Sequence, residues 1–204
     1  MSRILRNQLL YKGCYAHVIS RSIRKLKLFH DTQDFLCFKD LLRKAKEKAG
    51  FKIYYYCIMQ THFHLVVRMQ EIKDFSFAIR DIKREYAYKF HSKYRLSGPI
   101  WRERYKSLLI ENEEYLYACG KYIEGNPVKA QLVRGDEDWQ YSSARYYKRK
   151  TADTLVDFFG NVLREKEIGG LGQADFEKGN VIGSDFFKFQ FIKSQRKLRP
   201  VPLQ

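Results

Sequence analysis

The chain has 204 residues, of which 45% are hydrophobic and 16% are aromatic. This composition can bury a core, which excludes a disordered chain and favours one domain with an appendage. No apolar stretch reaches about 18 residues and the first residues are too charged for a signal peptide, so we expect a cytoplasmic protein with no membrane span. The four cysteines lie far apart without a Cys-x-x-Cys pair, which favours buried thiols over a zinc site or disulfides. They are Cys14, Cys37, Cys57 and Cys119.

The formal net charge is +16, which indicates a polyanionic partner, because each neutralised phosphate releases counterions. The 39 lysines and arginines are interleaved with 15 tyrosines and 15 phenylalanines. Cations follow a nucleic-acid backbone and aromatic rings stack on bases, so this mixture favours nucleic acid. An anionic membrane is the weaker alternative, since no long basic amphipathic helix with a clean apolar face is present.

The first half of the chain alternates strand and helix patterns. Segment 14–22 is rich in β-branched and aromatic residues and predicts a strand, and the basic segment after it predicts an exposed loop. Apolar residues at helical spacing then predict a helix that Asp31 or Thr32 caps and Gly50 ends. Two β-rich runs, "FKIYYYCIM" and "FHLVVRM", follow with a short polar connection, which predicts an antiparallel hairpin.

The second half continues with a helix predicted from Asp74 to Lys93, where apolar residues repeat along one side. A fourth strand is predicted from Tyr105 to Ile110, and Asn112 is placed to cap a third helix. The resulting βαββαβ order is typical of an α+β fold with a ferredoxin-like or RRM-like antiparallel sheet. Such a sheet carries helices on one face and leaves the other face for a ligand.

We therefore expect a functional domain over residues 1–150, with the third helix after the fourth strand. Residues 151–204 are interpreted as a loosely structured extension. It ends in a basic, proline-bearing tail that contacts phosphate.

The stretch "THFHLVV" places two histidines one residue apart in the second strand of the hairpin. Successive strand side chains point to opposite faces, so His62 and His64 share one face while Phe63 and Leu65 occupy the other. This geometry permits a shared metal ion. A His-x-His pair in a strand is more often a hydrogen-bonded or half-exposed structural pair.

A second pair lies in the third helix, within "EEYLYACGKYIEGNPV". Tyr122 and Asn126 are four residues apart, so a phenol and a carboxamide share one helical face. Pro127 disfavours helical geometry at Asn126 and places it at the helix end, facing an open cleft. The structural alternative is a core-edge tyrosine followed by an ordinary Asn-Pro turn.

The two residue pairs together, in a protein with a large positive charge, indicate a function that neither pair indicates alone. Tyrosine is a poor nucleophile at its free pKa of about 10, so phosphoryl transfer to it needs a metal that polarises the scissile phosphate. Two neutral imidazoles and one amide oxygen can hold such a metal while leaving positions for phosphate and water. A covalent phosphotyrosine keeps the phosphodiester linkage for rejoining, which a simple hydrolase does not need.

Three stretches carry a resemblance to a known family: "YYYCIMQTHFHLVVRM", "GPIWRERYKSLLIENEEYLYACGKYIEGNPVKAQLV" and "DWQYSSARYY". Over roughly residues 10–145 the chain resembles the single-tyrosine HUH transposases, and among them the REP-associated tyrosine transposases. The pairing of His-Phe-His with a downstream Tyr-Ile-x-x-Asn-Pro-Val-x-Ala is specific, whereas each half alone is weak. The chain departs from the family at Gln60 and Thr61, where Pro-Asn is common, and at Gly125, where a larger apolar residue is usual.

The resemblance implies that His62 and His64 bind a metal and that Asn126 is the third ligand. It implies that Tyr122 attacks single-stranded DNA and retains a 5′-phosphate, which makes the third helix the catalytic helix. It also implies Mg²⁺ or Mn²⁺ as cofactor and hairpin-forming DNA as partner, in a reaction that cuts and rejoins strands. Neither the motifs nor the composition distinguish a monomer from a homodimer.

Basic side chains near the second helix and the fourth strand are expected to contact DNA phosphates, and two aromatic rings among them could stack on bases. A tryptophan after Gly-Pro is also typical of a core anchor. The candidates are Arg80, Lys83, Arg84, Trp101, Arg102, Arg104, Tyr105 and Lys106.

Two other functions fit parts of the sequence. A non-catalytic RRM-like module would bind nucleic acid with purely structural histidines and would not need the set of two histidines, tyrosine and asparagine. A hydrolytic metallonuclease would use water as the nucleophile, and Tyr122 would then be dispensable.

Overall fold

The computed structural model describes residues 10–158, 176, 181–185 and 187–188. The strands are β1 (Tyr15–Arg21), β2 (Lys52–Met59), β3 (His62–Arg68), β4 (Lys106–Ile110) and β5 (Val181–Ile182). The α-helices are α1 (Thr32–Ala49), α2 (Ile72–Tyr94), α3 (Glu113–Glu124), α4 (Asn126–Lys129) and α5 (Ala144–Arg149). Short 3₁₀ turns occupy Ile23–Lys25 and Asp136–Asp138.

The strands form one sheet in the order β2-β3-β1-β4-β5. The first four pair antiparallel, and β5 adds to the edge parallel to β4. Ile19 lies opposite His64 in the β1–β3 register, and His17 lies opposite Val66. The predicted α+β fold with a βαββαβ order is confirmed, and β5 is an addition that the sequence did not predict.

The ends of α1 confirm the predicted start and stop signals. The Asp31 carboxylate accepts from the Asp34 N–H, and the Asp34 carboxylate accepts from the Asp31 N–H, which forms a capping box. Gly50 ends the helix in the left-handed conformation, with φ 70°.

One face of the sheet packs against α1 and α2 through an apolar core. Phe38 lies at its centre and is fully buried, with ring contacts to Phe29, Phe63 and Tyr86 at centroid distances of 5.0 to 5.2 Å. Phe63 and Leu65 both point into this layer, as the strand alternation predicts. Aromatic packing therefore closes this face.

The opposite face is not left free, which corrects the prediction of an open sheet surface. Helix α3 packs on it, and Leu116, Cys119 and Ile123 meet Val66 and Leu108 of the sheet. The closest approach is at Gly120, where a Cβ atom would lie 2.6 Å from ring carbons of Tyr55. Because glycine has no side chain, the helix backbone can lie directly on the Tyr55 ring.

Within the described ranges, no helix has the length and apolarity that a membrane crossing requires. All four cysteines are free. Cys14, Cys57 and Cys119 are buried as predicted, whereas Cys37 is only half-buried. The predicted basic tail and most of the predicted extension lie outside the described residues.

Candidate active site

The two histidines of the HUH stretch lie on the α3 side of β3. Their ring centroids are 5.0 Å apart, at an interplanar angle of 77°. His64 is completely buried, whereas His62 is half-buried and reaches a surface groove. The shared face predicted from strand alternation is confirmed.

Each histidine is held through its Nδ1 atom. Thr61 Oγ1 lies 3.0 Å from Nδ1 of His62. His17 Nε2 lies 2.9 Å from Nδ1 of His64, and both of these side chains have no exposed surface. The Nε2 atom of His64 is buried and makes no hydrogen bond to the described part of the chain.

Burial lowers the pKa of His64 well below its usual 6.5, and the neighbouring His62, His17 and Arg21 act in the same direction. His64 is therefore neutral at physiological pH and keeps one nitrogen lone pair. A neutral imidazole with a lone pair is the form that ligates a metal.

Helix α3 presents Tyr122 to the same side of the sheet. Asn112 begins the helix by accepting a hydrogen bond from the Tyr115 N–H. Tyr122 is 7% exposed and its ring lies between two side chains. The Lys129 ammonium is 4.3 Å from the ring centroid, and Phe176 stacks on the ring at 4.5 Å and 15°.

Asn126 is the first residue of the short helix α4, so the prediction that Pro127 disfavours helical geometry at this position is wrong. Gly125 has φ −76° and ψ −8°, and Asn126 begins a separate helical turn with Pro127 behind it. Asn126 lines the same groove as His62, and its amide nitrogen is buried without a hydrogen bond to the described residues. The structure thus brings together Asn126 and His62, which belong to two separate sequence motifs.

A buried carboxylate fixes this end of α3. Glu124 has no exposed surface and accepts hydrogen bonds from Ser143 Oγ at 2.7 Å and Lys121 Nζ at 3.3 Å. Burial raises the pKa of Glu124, while the contacts with Lys121 and Ser143 oppose that rise. Because the acceptor and both donors are satisfied, this network ties the helix end to the segment before α5.

The groove beside His62 has a volume of about 780 Å³. Among the described residues that line it, five are basic and none is acidic. The basic residues are Arg21, Arg24, Lys25, Arg102 and Lys129. A groove with this excess of positive charge suits a phosphate backbone.

The turn after β1 supplies two of these cations in an unusual backbone conformation. Arg24 and Lys25 have φ values of 47° and 58°, in the left-handed region that favours glycine. A hydrogen bond from the Ile23 N–H to the Ile100 carbonyl at 3.0 Å helps to hold the turn. Side chains kept at strained positions are a feature of functional sites.

The predicted DNA-contacting residues fall into three places. Arg102 lines the groove beside His62. Three other side chains make hydrogen bonds within the protein, namely those of Lys83, Trp101 and Tyr105. Lys83 Nζ donates to the Glu103 carbonyl at 2.6 Å, and Trp101 Nε1 donates to the Lys83 carbonyl at 2.9 Å.

Tyr105 is buried, with its hydroxyl 2.9 Å from Ser76 Oγ. Arg80 and Arg84 are exposed on α2 and pair with Asp81 at 3.0 and 3.4 Å. Arg104 and Lys106 are exposed on either side of Tyr105. DNA contact by these residues stays a prediction.

Sequence reasoning missed several residues of this site. It treated the basic turn after β1 as a solvated loop and gave no role to His17, Glu124 or Lys129. The signal that could have found His17 is its parity in β1, since His17, Ile19 and Arg21 alternate onto one face.

The side chains present can hold a metal ion only with help from the amide. Among the described residues, no group of three or more His, Cys, Asp or Glu side chains could hold one. Two histidines and the Asn126 amide supply nitrogen and oxygen donors, and the buried Nε2 of His64 makes no hydrogen bond to any described residue. This mixed nitrogen and oxygen donor set can ligate a divalent metal ion and leave coordination positions open.

The chain is similar in sequence and in fold to known proteins. An REP-associated tyrosine transposase from Escherichia coli (strain K12) is 27% identical over 134 residues, which cover 64% of this chain and 76% of that protein. A solved structure of an REP-associated tyrosine transposase bound to a REP hairpin superposes with a TM-score of 0.60 at 25% identity. The match covers 81% of this chain and 96% of the solved one.

The resemblance that the motifs indicated is thereby confirmed. The family described as "Transposase IS200 like" matches residues 10–126, more than half of the chain. These residues include β1 with His17, the His-Phe-His strand, and α3 with Tyr122, and they end at Asn126. The chain belongs to the IS200-like transposase family.

Proposed function

We propose that the protein is a metal-dependent endonuclease and strand transferase for single-stranded DNA that forms a 5′-phosphotyrosine intermediate at Tyr122. The observation that carries this proposal is the basic groove that His62 and Asn126 line together. Lys129 links the groove to the nucleophile, because it lines the groove and its ammonium lies over the Tyr122 ring.

His62, His64 and Asn126 are the residues proposed to hold Mg²⁺ or Mn²⁺. The bound ion supplies Lewis-acid polarisation of the scissile phosphate. Thr61 and His17 contact the two imidazoles at Nδ1. Asn126 lies at the first position of α4, directly after Gly125.

In the proposed reaction the Tyr122 oxygen attacks the phosphorus and loses its proton to solvent. The bond between phosphorus and the 3′ oxygen breaks, and that oxygen takes up a proton to leave as a 3′-hydroxyl. Lys129 and Arg102 bind the phosphate oxygens as negative charge develops. The retained 5′-phosphate lets a second 3′-hydroxyl reverse the step on another strand, which is transposition chemistry.

The proposed substrate is single-stranded DNA that carries a REP-like hairpin. The support is the solved relative, which is bound to a REP hairpin. The basic lining of the groove supplies backbone affinity but no sequence choice, because phosphate contacts carry no base information.

The test is incubation of the protein with end-labelled hairpin DNA and Mn²⁺, followed by a denaturing gel. A protein-linked DNA band is expected with the wild type and not with Tyr122→Phe, which keeps the packed ring and removes only the hydroxyl. Tyr115→Phe and Tyr117→Phe are the matched controls on the same helix, and both are expected to keep the band.

Two outcomes would overturn the proposal. Tight binding of hairpin DNA without any covalent band would favour a non-catalytic binding module of RRM-like form. Cleavage that survives Tyr122→Phe would assign the attack to water, as in a hydrolytic metallonuclease.

A further inference from the structure

His17 is a buried polar residue that takes no direct part in the proposed chemistry. It lies in β1, diagonal to His64 across the β1–β3 ladder, since Ile19 is the direct partner of His64. The two rings are nearly parallel, with centroids 5.1 Å apart at 21°, and neither has any exposed surface. His17 Nε2 lies 2.9 Å from His64 Nδ1.

This hydrogen bond allows only two proton arrangements for neutral rings. In one, His64 carries its proton on Nδ1 and donates it to His17 Nε2, so the lone pair of His64 is on Nε2. In the other, His17 donates to Nδ1 of His64, and His64 then carries its own proton on Nε2. Only the first arrangement presents a metal-binding lone pair at Nε2, the atom that the described fold leaves without a hydrogen bond.

We propose that His17 is a positioning residue that holds His64 in the Nδ1-protonated tautomer and thereby directs the Nε2 lone pair of His64 at the metal. This inference rests on the proposed function for the identity of the ligand. A metal-bound imidazole usually donates its second N–H to a fixed acceptor, which sets both the tautomer and the ring orientation. In this chain the acceptor is itself a histidine, delivered by the neighbouring strand.

Packing alone does not explain His17. The other residues that line this layer from the sheet include Val66, Leu108 and Ile110, and an aliphatic side chain would fill the same space without burying polar atoms. The same arrangement occurs at the other ligand, where Thr61 Oγ1 lies 3.0 Å from Nδ1 of His62. Both candidate ligands are thus held through Nδ1, by different elements.

The first test needs no metal. Two-bond ¹H–¹⁵N NMR spectra of the metal-free protein show which nitrogen of His64 carries the proton, and a His64→Gln sample assigns the signal. The expected result is a proton on Nδ1 in the wild type. A proton on Nε2 would overturn the proposal.

The second test compares Mn²⁺ affinity, by calorimetry or by the EPR signal of free Mn²⁺, in three variants. His17→Leu removes the acceptor and is expected to weaken binding by about 10- to 100-fold. His17→Gln places an amide oxygen near the position of Nε2 and is expected to restore most of the affinity. Ser20→Ala changes a buried residue of the same strand, three positions along and on the opposite face, and is expected to leave affinity unchanged.

The outcomes separate positioning from packing. Unchanged affinity in His17→Leu, or equal losses in His17→Leu and His17→Gln, would overturn the proposal. Circular dichroism and thermal unfolding show whether each variant is folded. A wild type that binds no Mn²⁺ would overturn the proposed metal function instead, while the metal-free NMR spectrum still decides the tautomer.

Discussion

The two faces of the sheet differ in what they bury. The face toward α1 and α2 is closed by aromatic and aliphatic side chains, with Phe38 and Phe63 in its centre. The face toward α3 buries His17, His64 and Glu124 completely, among apolar neighbours. The first side also buries polar groups, such as Ser20 and Asp34, but only the second buries imidazole rings next to the candidate ligand strand.

This difference separates stability from chemistry. Burying a polar group costs free energy unless its hydrogen bonds are satisfied, so a sheet face selected for stability alone would be apolar. The polar groups of the α3 face surround the strand that carries His62 and His64. We conclude that the first face stabilises the sheet and that the second positions the candidate ligands and Tyr122.

The largest predicted effect is on the first face. Phe38→Ala removes a fully buried ring with several aromatic neighbours and should lower the free energy of unfolding by about 3–5 kcal/mol. Urea denaturation measures this loss. Leu36→Ala changes a side chain of the same helix that is 55% exposed, and it should shift stability by less than about 0.5 kcal/mol.

If the two faces act separately, Mn²⁺ affinity of the folded Phe38→Ala protein should equal that of the wild type. A clear drop in affinity would show that the aromatic face also shapes the metal site. The contrast between the faces would then fail.

The second prediction concerns the junction of α1 and α2. Burial alone would raise the pKa of Asp34, but hydrogen bonds from Lys93, Tyr94 and the His30 N–H outweigh it and lower the pKa below its usual 3.8. These contacts are 2.6 to 2.7 Å long. Asp34→Asn should lower the free energy of unfolding at pH 7 by about 2–3 kcal/mol, since charged hydrogen bonds are lost.

The pH dependence gives the sign of this effect. A carboxyl group whose pKa is lower in the folded protein stabilises it above the unfolded pKa of 3.8, and this stabilisation is lost as the pH falls through the folded value. The gap between wild type and Asp34→Asn should thus be full at pH 7 and shrink below about pH 4. Asp40→Asn, on the exposed side of α1, should cost less than about 1 kcal/mol.

The third prediction addresses the contact between α3 and the sheet. Gly120→Ala places a Cβ atom 2.6 Å from the Tyr55 ring, so the helix must shift outward. We expect a loss of about 1–2 kcal/mol in unfolding free energy and a larger loss of covalent DNA product, because α3 carries Tyr122. Denaturation and the hairpin cleavage assay measure the two effects.

Gly125→Ala is the control, at the C-terminal cap of the same helix. Its Cβ atom would approach no closer than 3.4 Å, and its φ of −76° suits alanine. It should be neutral or stabilising by up to about 1 kcal/mol. Equal stability of Gly120→Ala and Gly125→Ala would disprove the close approach to Tyr55.

The parts of the fold that the sequence predicted are those with local signals. Helix α1 carries its own cap at Asp31 and its own stop at Gly50, and the hairpin of β2 and β3 needs only two adjacent β-rich runs. Strand β5 has two residues and pairs with a strand about 70 residues earlier, so no local sequence pattern predicts it. Helix α3 packs on the second face through the close contact of Gly120 with Tyr55. These two residues are far apart in the sequence, so only the tertiary structure reveals the contact.

The residues of the candidate site also fall into those with a local sequence signal and those without one. Two short motifs hold the predicted site residues, and their resemblance to a known family is what selects them as candidates: His62, His64, Tyr122 and Asn126. His17 contacts His64 across 47 positions of sequence, and the groove assembles cations from the β1 turn, the segment before β4, and α4. Strand register and turn geometry bring these residues together, and neither follows from spacing along the chain.

The smallest predicted effect on stability is at the β1 turn, where the requirements of fold and function oppose each other. Arg24 has a φ of 47°, which costs an L-residue about 1 kcal/mol relative to glycine. Arg24→Gly should therefore leave the free energy of unfolding unchanged or raise it by up to about 1 kcal/mol. The same change removes a cation from the groove, so single-stranded DNA should bind more weakly, with a salt-dependence slope smaller by about 1.

Lys150→Gly is the matched control, because Lys150 ends α5 with a φ of 55° and is not among the described residues that line the groove. Its free energy of unfolding should change as that of Arg24→Gly does. Its affinity for single-stranded DNA, and the dependence of that affinity on salt concentration, should stay at the wild-type values. Titrations of labelled single-stranded DNA at several salt concentrations distinguish the two variants. Both substitutions relieve the same kind of backbone strain, so a difference in DNA affinity between them would come from the position of the lost cation. If Arg24→Gly bound DNA as tightly as Lys150→Gly, the strained turn would have no part in DNA binding.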